Sequence, residues 1–158
     1  MCSSDLVAVE HGGAPLATSD QFFSEPLNLI MPGPSRDMGD GWETRRRRGP
    51  GHDWLVLRLG ALGLIQRVEI DTNHFKGNYP ESASLEGCRN ETATLPALAG
   101  DDAGWQEALP RTRLRPHKRH FFGREIRARG PFNHVRFKIF PDGGVSRLRI
   151  HGRAVAPE

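Results

Sequence analysis

The sequence predicts an all-β chain that folds as one antiparallel jelly-roll β-sandwich. The chain of 158 residues contains 18 glycines and 12 prolines, which favour many short strands joined by turns. Residues 132–141 (FNHVRFKIFP) and 146–155 (SRLRIHGRAV) alternate between apolar and basic side chains. This period of two is typical of strands with one face in water. No long amphipathic helix pattern occurs, so a sandwich is the architecture that these features favour.

The remaining elements are predicted upstream of these two strands. Residues 53–60 (DWLVLRLG) are apolar along most of their length, which predicts a largely buried strand. Gly60 and Gly63 indicate a turn before residues 64–73 (LIQRVEIDTN), whose β-branched residues favour another strand. Shorter strands are predicted at 83–88 and 118–126, a turn at 141–146 (PDGGVS), and an irregular segment at 89–116 with one helical turn near 101–109.

Composition narrows the class of protein. The net charge of +3 comes mainly from arginines that are spread along the chain and nearly matched by acids, without the aromatic pattern of a nucleic-acid site. No apolar run reaches the roughly 18 residues of a membrane span, and no signal-peptide pattern opens the sequence. Cys2 and Cys88 form neither a disulfide framework nor a metal-ligand spacing. We therefore expect a cytoplasmic protein that binds neither nucleic acid nor membrane.

Two clusters of polar residues could form a site. The first is DTNHFKGNYPES (71–82), which packs hydrogen-bonding groups directly after a predicted strand, where a rigid sheet commonly presents site residues. Asparagine, glycine and proline also form ordinary turns, so a simple connection is the alternative. The second is MGDGWETRRRRGPGHDW (38–54), whose arginines could bind a carboxylate bidentately. Its alternative is a solvated basic loop that nearby acids neutralise.

Other familiar chemistry lacks support. The sequence contains no nucleophile elbow, phosphate-binding loop, dinucleotide fingerprint or zinc-binding cysteine pattern. His117 and His120 are three residues apart but have no acidic companion at metal-ligand spacing. Cys88 is expected to be a small buried residue rather than a nucleophile.

Both clusters resemble the signature region of the allantoicase (allantoate amidinohydrolase) family. The resemblance runs through MGDGWETRRRRGPGHDWLVLRLG and VEIDTNHFKGNYPESASLEGC, and SDQFFSEPLNLIMPG and GGVSRLRIHG match the same family nearer the two ends. It implies a jelly-roll sandwich similar to galactose-binding domains. It also implies a hydrolase acting on linear amidines, which converts allantoate to ureidoglycolate and urea in purine (allantoin) degradation.

The family resemblance also bears on domain organisation. Its members carry two such repeats, whereas this chain has one and is most similar to the second. Residues 1–6 (MCSSDL) resemble a translated sequencing adapter, so we expect a non-native leader followed by a single repeat domain at 7–156. The resemblance implies that this domain is a fragment of a two-repeat protein, and activity of the single repeat is open at this point. The expected partners are a small-molecule substrate, a second allantoicase repeat and further copies in a homo-oligomer.

The family's reaction suggests roles for individual residues. Allantoate carries one carboxylate and two ureido groups on a single carbon, so a binding site needs cations, acceptors and donors. Among the four arginines at 45–48, one or two could bind the carboxylate. The resemblance assigns Glu43 or His52 as general base, His74 or Lys76 as proton donor or electrostatic stabiliser, and Arg45, Arg46, Asp71, Asn73 and Asn78 as substrate-binding residues.

Two questions stay open at this point. No cofactor is evident, although His52, Asp71 and His74 could supply ligands to a divalent metal at a spacing that matches no recognised pattern. The competing function is a non-catalytic jelly-roll module that binds sugar or serves as a structural repeat. The charged cluster favours the enzyme over a sugar platform, because only Trp42, Trp105 and Tyr79 are expected as loop aromatics.

Overall fold

The structure, a computed structural model, describes residues 3–156, and its regular secondary structure consists almost entirely of antiparallel strands. No helix in this part of the chain is long and apolar enough to cross a membrane. The helical segments are short: α1 (Leu95–Ala99) and 3-10 turns at Val9–His11, Pro26–Ile30 and Met38–Asp40. The strands are β1 (Ser4–Asp5), β2 (Ala14–Thr18), β3 (Trp42–Glu43), β4 (Asp53–Asp71), β5 (Ser82–Cys88), β6 (Gln106–Arg113), β7 (Arg119–Phe122), β8 (Phe132–Phe140), β9 (Gly144–Val145) and β10 (Arg147–Ala154).

Strand β4 organises the sandwich because it belongs to both layers. Its first half pairs with β2 and β8, and β8 continues the layer through β5 to β6. Its second half pairs with β10 and β7, and β10 carries β1 at its other edge. Strands β3 and β9 form a separate two-stranded sheet. The predicted all-β jelly-roll sandwich is therefore confirmed at the level of architecture.

The core lies between the two layers. Apolar side chains at alternate positions of β4, β8 and β10 are fully buried, as expected when one face of each strand packs inward. The largest of these side chains fill one continuous cluster: Leu55, Leu57, Ile65, Ile70, Phe132, Phe137, Leu148 and Ile150. A smaller cluster around Val56, Cys88 and Leu98 fills the space beneath α1 on the outer face.

The predicted turn at Gly60 and Gly63 is wrong, because β4 runs without interruption for 19 residues. The pairing with β8 is irregular between Arg58 and Gly63, where the strand passes from one layer to the other. A Cβ on Gly60 would approach the His11 carbonyl oxygen to 1.9 Å. The glycines here permit close backbone packing instead of ending the strand.

The irregular segment predicted at 89–116 is also wrong in part. It contains α1, capped by Thr94, whose side chain accepts a hydrogen bond from the Ala97 amide, and the edge strand β6. The pairing of β6 with β5 includes two register shifts, which removes the regular alternation that identifies a strand in sequence. The turn predicted at 141–146 is present but contains β9.

Residues near the start of the chain pack into the sandwich. Ser4 and Asp5 pair with β10, and the Leu6 side chain is 3% exposed in the core. The expectation that residues 1–6 are a non-native leader stays a prediction, since Met1 and Cys2 lie outside the described residues. The packing shows only that Ser4, Asp5 and Leu6 are part of the folded unit.

The basic side chains of β10 do not face water as the alternation predicted. The guanidinium of Arg147 is buried and donates to the backbone carbonyls of Asn28, Gly33 and Asp40. It also pairs with the Asp40 carboxylate at 3.1 Å. Arg149 donates in the same way to carbonyls of the covering loop. The segment 28–40, which is distant in sequence, thus lies over this face of the sheet, and the two arginines satisfy several of its backbone carbonyls.

A second set of hydrogen bonds ties the loop after β4 to the loop before β7. The hydroxyl of Thr72 donates to the Arg115 carbonyl at 2.6 Å. His120 is buried, and its Nδ1 donates to the Ile70 carbonyl while its Nε2 accepts from the Arg115 amide. These contacts need a neutral imidazole because Nε2 acts as an acceptor. Burial lowers the pKa of His120, which favours that neutral form.

Replacing Arg147 tests the role of the buried guanidinium. We expect Arg147→Met to lower the free energy of unfolding by about 3–5 kcal/mol, because the Asp40 carboxylate and several carbonyls would lose their partner. Guanidinium chloride denaturation measures this change. Arg48→Met is the matched control, since Arg48 is exposed. A loss no larger than that of the control would contradict a central role for Arg147.

The buried His120 predicts a pH dependence of stability. Its pKa in the folded state lies below the ordinary value of 6.5, so the unfolded chain binds more protons as the pH falls through that value. We expect the free energy of unfolding to decrease from pH 7.5 to 5.5 and this slope to be smaller in His120→Gln. His52 and His134, whose pKa values burial also lowers, contribute to the slope that remains. Equal slopes in both proteins would show that His120 contributes nothing.

Candidate active site

Three loops meet at one end of the sandwich and are joined by backbone hydrogen bonds. The amide of Thr44 donates to the Gly143 carbonyl at 3.0 Å, and the amide of Gly144 donates to the Asn78 carbonyl at 2.8 Å. A Cβ on Gly144 would approach the buried Phe75 ring to 2.0 Å, so only glycine permits this packing. The two polar clusters identified in the sequence are therefore neighbours in the fold.

A cleft of about 530 Å³ opens where these loops meet, and we name it the Glu43 cleft. Its lining combines two carboxylates, Glu43 from β3 and Asp142, with one guanidinium, an amide and two aromatic rings. The lining residues are Phe23, Glu43, Thr44, Arg46, Gly77, Asn78, Tyr79, Asp142 and Gly143.

Glu43 is placed in this cleft by its neighbour Trp42. The Trp42 side chain is fully buried, and its Nε1 donates to the Asp20 carbonyl at 2.8 Å. Because successive side chains of a strand point in opposite directions, Glu43 faces away from the core. Its Oε2 accepts a hydrogen bond from the Asn78 side chain, and it forms no ion pair within residues 3–156. The carboxylate is thus oriented by a neutral group and keeps its charge available.

The four consecutive arginines have different surroundings. Arg47 is fixed below the loop: its Nη1 donates to the fully buried Asp53 carboxylate at 2.9 Å, and its amide donates to the Asp142 carboxylate at 2.8 Å. Arg45 lies over the Phe22 ring, 4.5 Å from its centroid, and Arg48 is exposed. Arg46 lines the Glu43 cleft and makes no ion pair in the described part of the chain. Arg46 is therefore the arginine of this run that is available to a ligand in the cleft.

Several predicted residues lie outside the Glu43 cleft. His52 packs against the Phe140 ring with 4.9 Å between centroids, and burial together with the charges of Lys138 and Arg47 lowers its pKa. Lys76 is exposed and has no ion pair in the described residues. Neither side chain contributes to the lining of this cleft.

His74 lies in the loop after β4, where contacts with His117 and Ser35 hold it in place. Its backbone φ is +74°, and its amide donates to Nδ1 of His117 at 2.8 Å. Its Nε2 lies 3.0 Å from the Ser35 carbonyl and 3.4 Å from the Asn73 amide nitrogen. The carbonyl can only accept, so Nε2 carries the proton and donates to Ser35. His74 therefore braces the loop through its Nε2 proton, and its Nδ1 is the position left to accept a proton.

Asp71 and Asn73 line a different cleft, with a volume of about 450 Å³. Asp71 is 4% exposed, and burial raises the pKa of its carboxyl although the Asn73 amide donates to Oδ1. His52, Asp71 and His74 do not converge on one point. Among residues 3–156, no group of three or more His, Cys, Asp or Glu side chains is arranged to hold a metal ion.

Some lining residues were not anticipated. Asp142 and Phe23 enter the Glu43 cleft from turns that have no periodic pattern, and only their position in the folded chain identifies them. Tyr79 is expected from sequence as a loop aromatic but not as part of the site. The expectation that Trp42 is a loop aromatic is wrong, because its ring is buried in the core. The aromatic rings exposed beside the cleft are instead those of Phe22 and Phe23, 60% and 61% exposed.

Comparison with known proteins relates this geometry to a family. The allantoicase repeat model matches residues 4–155. A probable allantoicase of Pseudomonas paraeruginosa is 50% identical over 153 residues, which are 97% of this chain and 46% of that protein. The crystal structure of allantoicase from Saccharomyces cerevisiae superimposes with a TM-score of 0.82 at 38% identity, covering 96% of this chain and 43% of that chain. The chain thus spans somewhat less than half the length of these relatives.

A more distant likeness concerns the fold alone. The family 32 carbohydrate-binding module from C. perfringens NanJ, solved with galactose, superimposes with a TM-score of 0.64 at 6% identity and covers 95% of this chain and 98% of that chain. This agrees with the expected similarity to galactose-binding domains. With the family model matching nearly every described residue and the polar clusters meeting at one end of a jelly roll, the chain belongs to the allantoicase repeat family.

Proposed function

We propose that this repeat binds allantoate in the Glu43 cleft and hydrolyses it to ureidoglycolate and urea. One observation carries the proposal. The Glu43 carboxylate and the Arg46 guanidinium line the same cleft, and neither has an ion-pair partner in the described residues. Membership of the allantoicase repeat family supports the choice of substrate.

The lining of the cleft matches the groups of allantoate. Arg46 would bind the substrate carboxylate through two parallel N–H donors. Asn78 donates to Glu43 and makes a long contact of 4.0 Å with the Met38 sulfur, so its carbonyl oxygen is the group left to accept a ureido N–H. The rings of Phe23 and Tyr79 form walls on which a planar ureido group could lie.

One carboxylate can carry every proton that the reaction moves. In the first step, Glu43 takes the N–H proton of the retained ureido group, whose electrons form a C=N bond as the bond to the departing urea nitrogen breaks. Glu43 then gives this proton to the departing nitrogen. In the second step, water adds its oxygen to the same carbon while its proton passes through Glu43 to the C=N nitrogen. General acid–base catalysis of this kind typically contributes about 100- to 10,000-fold to a rate.

The proposed mechanism does not use every residue that the sequence suggested. His52, His74 and Lys76 lie outside the lining of the Glu43 cleft, and their catalytic roles stay predictions. A second allantoicase repeat agrees with the greater length of the relatives. A homo-oligomer and a cytoplasmic location also stay predictions.

One observation favours the alternative of a non-catalytic binding module. The exposed rings of Phe22 and Phe23 pack edge to face with 4.8 Å between centroids beside the Glu43 cleft. Exposed aromatic rings are suited to stacking against flat or apolar ligand faces. If the repeat binds without catalysis, ligand binding should depend on these rings and no urea should form.

The main test is urea release from allantoate by the purified chain, with the S. cerevisiae allantoicase as a positive control. We expect Glu43→Gln to lower kcat by about 100- to 10,000-fold, because the amide cannot accept the proton. We expect Arg46→Met to raise KM by about 10- to 100-fold, because a charge-assisted hydrogen-bond pair is lost.

Arg48→Met is the matched control for Arg46, since it removes an exposed arginine from the same run without altering the cleft lining. If the chain alone shows no turnover, calorimetry with allantoate separates a binding site that needs a second repeat from no site at all. The proposed function would be overturned if the chain showed no turnover and also no allantoate binding that depends on Arg46.

Arg47 is proposed as a positioning residue that acts through its neighbour. Its ion pair with Asp53 and its amide contact with Asp142 hold the backbone that directs Arg46 into the cleft. We expect Arg47→Met to raise KM about fivefold, corresponding to about 1 kcal/mol, with little change in kcat. Arg47→Lys should restore most of the loss because it retains a cation for Asp53. Equal loss of kcat in both variants would indicate a general structural defect.

A further inference from the structure

Apolar side chains are exposed around the mouth of the Glu43 cleft. Phe22 and Phe23 are 60% and 61% exposed, and Met38 is 47% exposed. Phe23 lines the cleft and packs against Phe22 with 4.8 Å between ring centroids. The Met38 sulfur lies 4.0 Å from the side-chain nitrogen of Asn78, which also belongs to the lining. We name the three exposed side chains of Phe22, Phe23 and Met38 the rim patch.

The two rings and Met38 lie on different sides of β3. Ser24 pairs with one edge of this strand, and β9 pairs with the other edge. The two rings belong to the residues directly before Ser24, whereas Met38 contacts Asn78, whose carbonyl accepts a hydrogen bond from β9. The rim patch therefore spans the cleft and does not form a single point on one wall.

The composition of the rim patch indicates an interaction surface. Single exposed apolar side chains are common on monomers, but a contiguous apolar patch with a polar border marks a contact with another molecule. The centres of protein–protein interfaces are enriched in aromatic residues, methionine and arginine. All three occur here, since the guanidinium of Arg45 lies 4.5 Å from the centroid of the Phe22 ring.

One end of the rim patch is basic. Arg45 covers the Phe22 ring, and its side chain is 66% exposed. The one acid within ion-pair distance of Arg45 among the described residues is Asp20, at 4.0 Å. An ion pair this long and exposed contributes little free energy, so the guanidinium is able to form a closer pair with another molecule.

The other end of the rim patch is acidic. Asp37 is exposed next to Met38 and forms no ion pair in the part of the chain that the structure describes. The neighbouring Arg36 pairs with Asp40 instead, at 3.7 Å. The patch thus presents a base at one end and an acid at the other, with the apolar side chains between them.

This arrangement of charges is complementary to itself. In a dimer with two-fold symmetry, the same surface of each copy meets its equivalent, so the two ends of the surface contact each other. An axis through the cleft brings Arg45 of one copy to Asp37 of the other, and it does so twice. The same rotation packs the phenylalanine pair of each copy against Met38 of the other. A partner of uniform charge would meet repulsion at one end of the patch.

We propose that the rim patch is the surface through which two copies of this chain associate about a two-fold axis. Phe22, Phe23 and Met38 form the apolar centre of the contact, and an Arg45–Asp37 ion pair closes each end. The second copy then lies over the mouth of the Glu43 cleft. Association through this surface does not require that the cleft binds allantoate, so it can be tested separately from the proposed function.

Sedimentation velocity of the purified chain, up to about 200 μM, tests the association. We expect a reversible dimer with a dissociation constant of about 1–100 μM, as for a small transient interface. Phe22→Ser combined with Phe23→Ser should raise this constant at least about tenfold, because the aromatic anchors are lost. Phe121→Ser is the matched control, since Phe121 is an exposed phenylalanine on β7, which pairs with the second half of β4.

Charge reversal tests the pairing of the two ends. Arg45→Glu and Asp37→Lys should each weaken the homodimer about tenfold, because like charges then face each other at both ends. An equimolar mixture of the two variants should recover the dimer, since every pair in the mixed dimer again joins opposite charges. Both positions are exposed, so we expect each variant to keep the circular dichroism spectrum and thermal unfolding of the parent chain.

Three results would overturn the proposal. The first is a chain that sediments as a monomer at about 200 μM, well above the expected dissociation constant. The second is a dimer that Phe121→Ser weakens as much as the combined phenylalanine variant does. The third is a mixture of the two charge variants that stays monomeric. A monomeric chain whose allantoate binding weakens in the combined phenylalanine variant would assign the rings to a ligand instead.

Discussion

The buried guanidinium of Arg147 is the interaction on which the functional end of the molecule depends. It joins β10 to the backbone at Asn28, Gly33 and Asp40. Leu29 and Ile30 anchor the start of this segment in the core, but residues 31–40 bury little apolar surface. The position of this second part must therefore come from hydrogen bonds. Asp40 lies three residues before Glu43. The contacts that hold Asp40 in place therefore also fix the start of β3, the strand that carries Glu43.

A buried ion pair of this kind contributes more to a unique arrangement than to net stability. Removing both charges at Arg147 and Asp40 in favour of apolar groups could leave the stability nearly unchanged, whereas removing one leaves an unpaired buried charge. Five donors in a fixed plane also determine where each carbonyl must lie. The same device recurs at Arg136, which joins Glu86 and Asp101 over the outer face of the sandwich. Loops of this repeat are thus placed by arginines on the strands beneath them.

Sequence patterns predicted the sheet better than the surfaces that the sheet presents. Alternation in β8 and β10 identified the inward residues because side-chain direction in a strand is a local property. The same alternation predicted that Arg147 faces water, and this was wrong because the covering segment lies more than a hundred residues away in sequence. Gly60 and Gly63 predict a turn that is not there, because a local pattern does not distinguish a glycine that ends a strand from one that permits close packing.

The site residues show the same difference between what local sequence predicts and what depends on tertiary contacts. Glu43, Arg46 and Asn78 were expected from their residue types, and the structure brings them into one cleft. The sequence could not separate Arg46 from its neighbours, because the choice depends on the Arg47–Asp53 ion pair at the base of the loop.

The loop after β4 links the two clefts, and its shape determines what each can bind. Asp71 and Asn73 lie at one end of this loop, and Asn78 lies at the other. Between them, Thr72 and His74 fix the backbone to the loop before β7 and to Ser35. The positive φ of His74 is a conformation that costs a non-glycine residue free energy, so these contacts must offset that cost. A turn that only joined β4 to β5 would need no such constraint, and the dense set of polar groups in DTNHFKGNYPES is better explained by its placement of groups in two separate clefts.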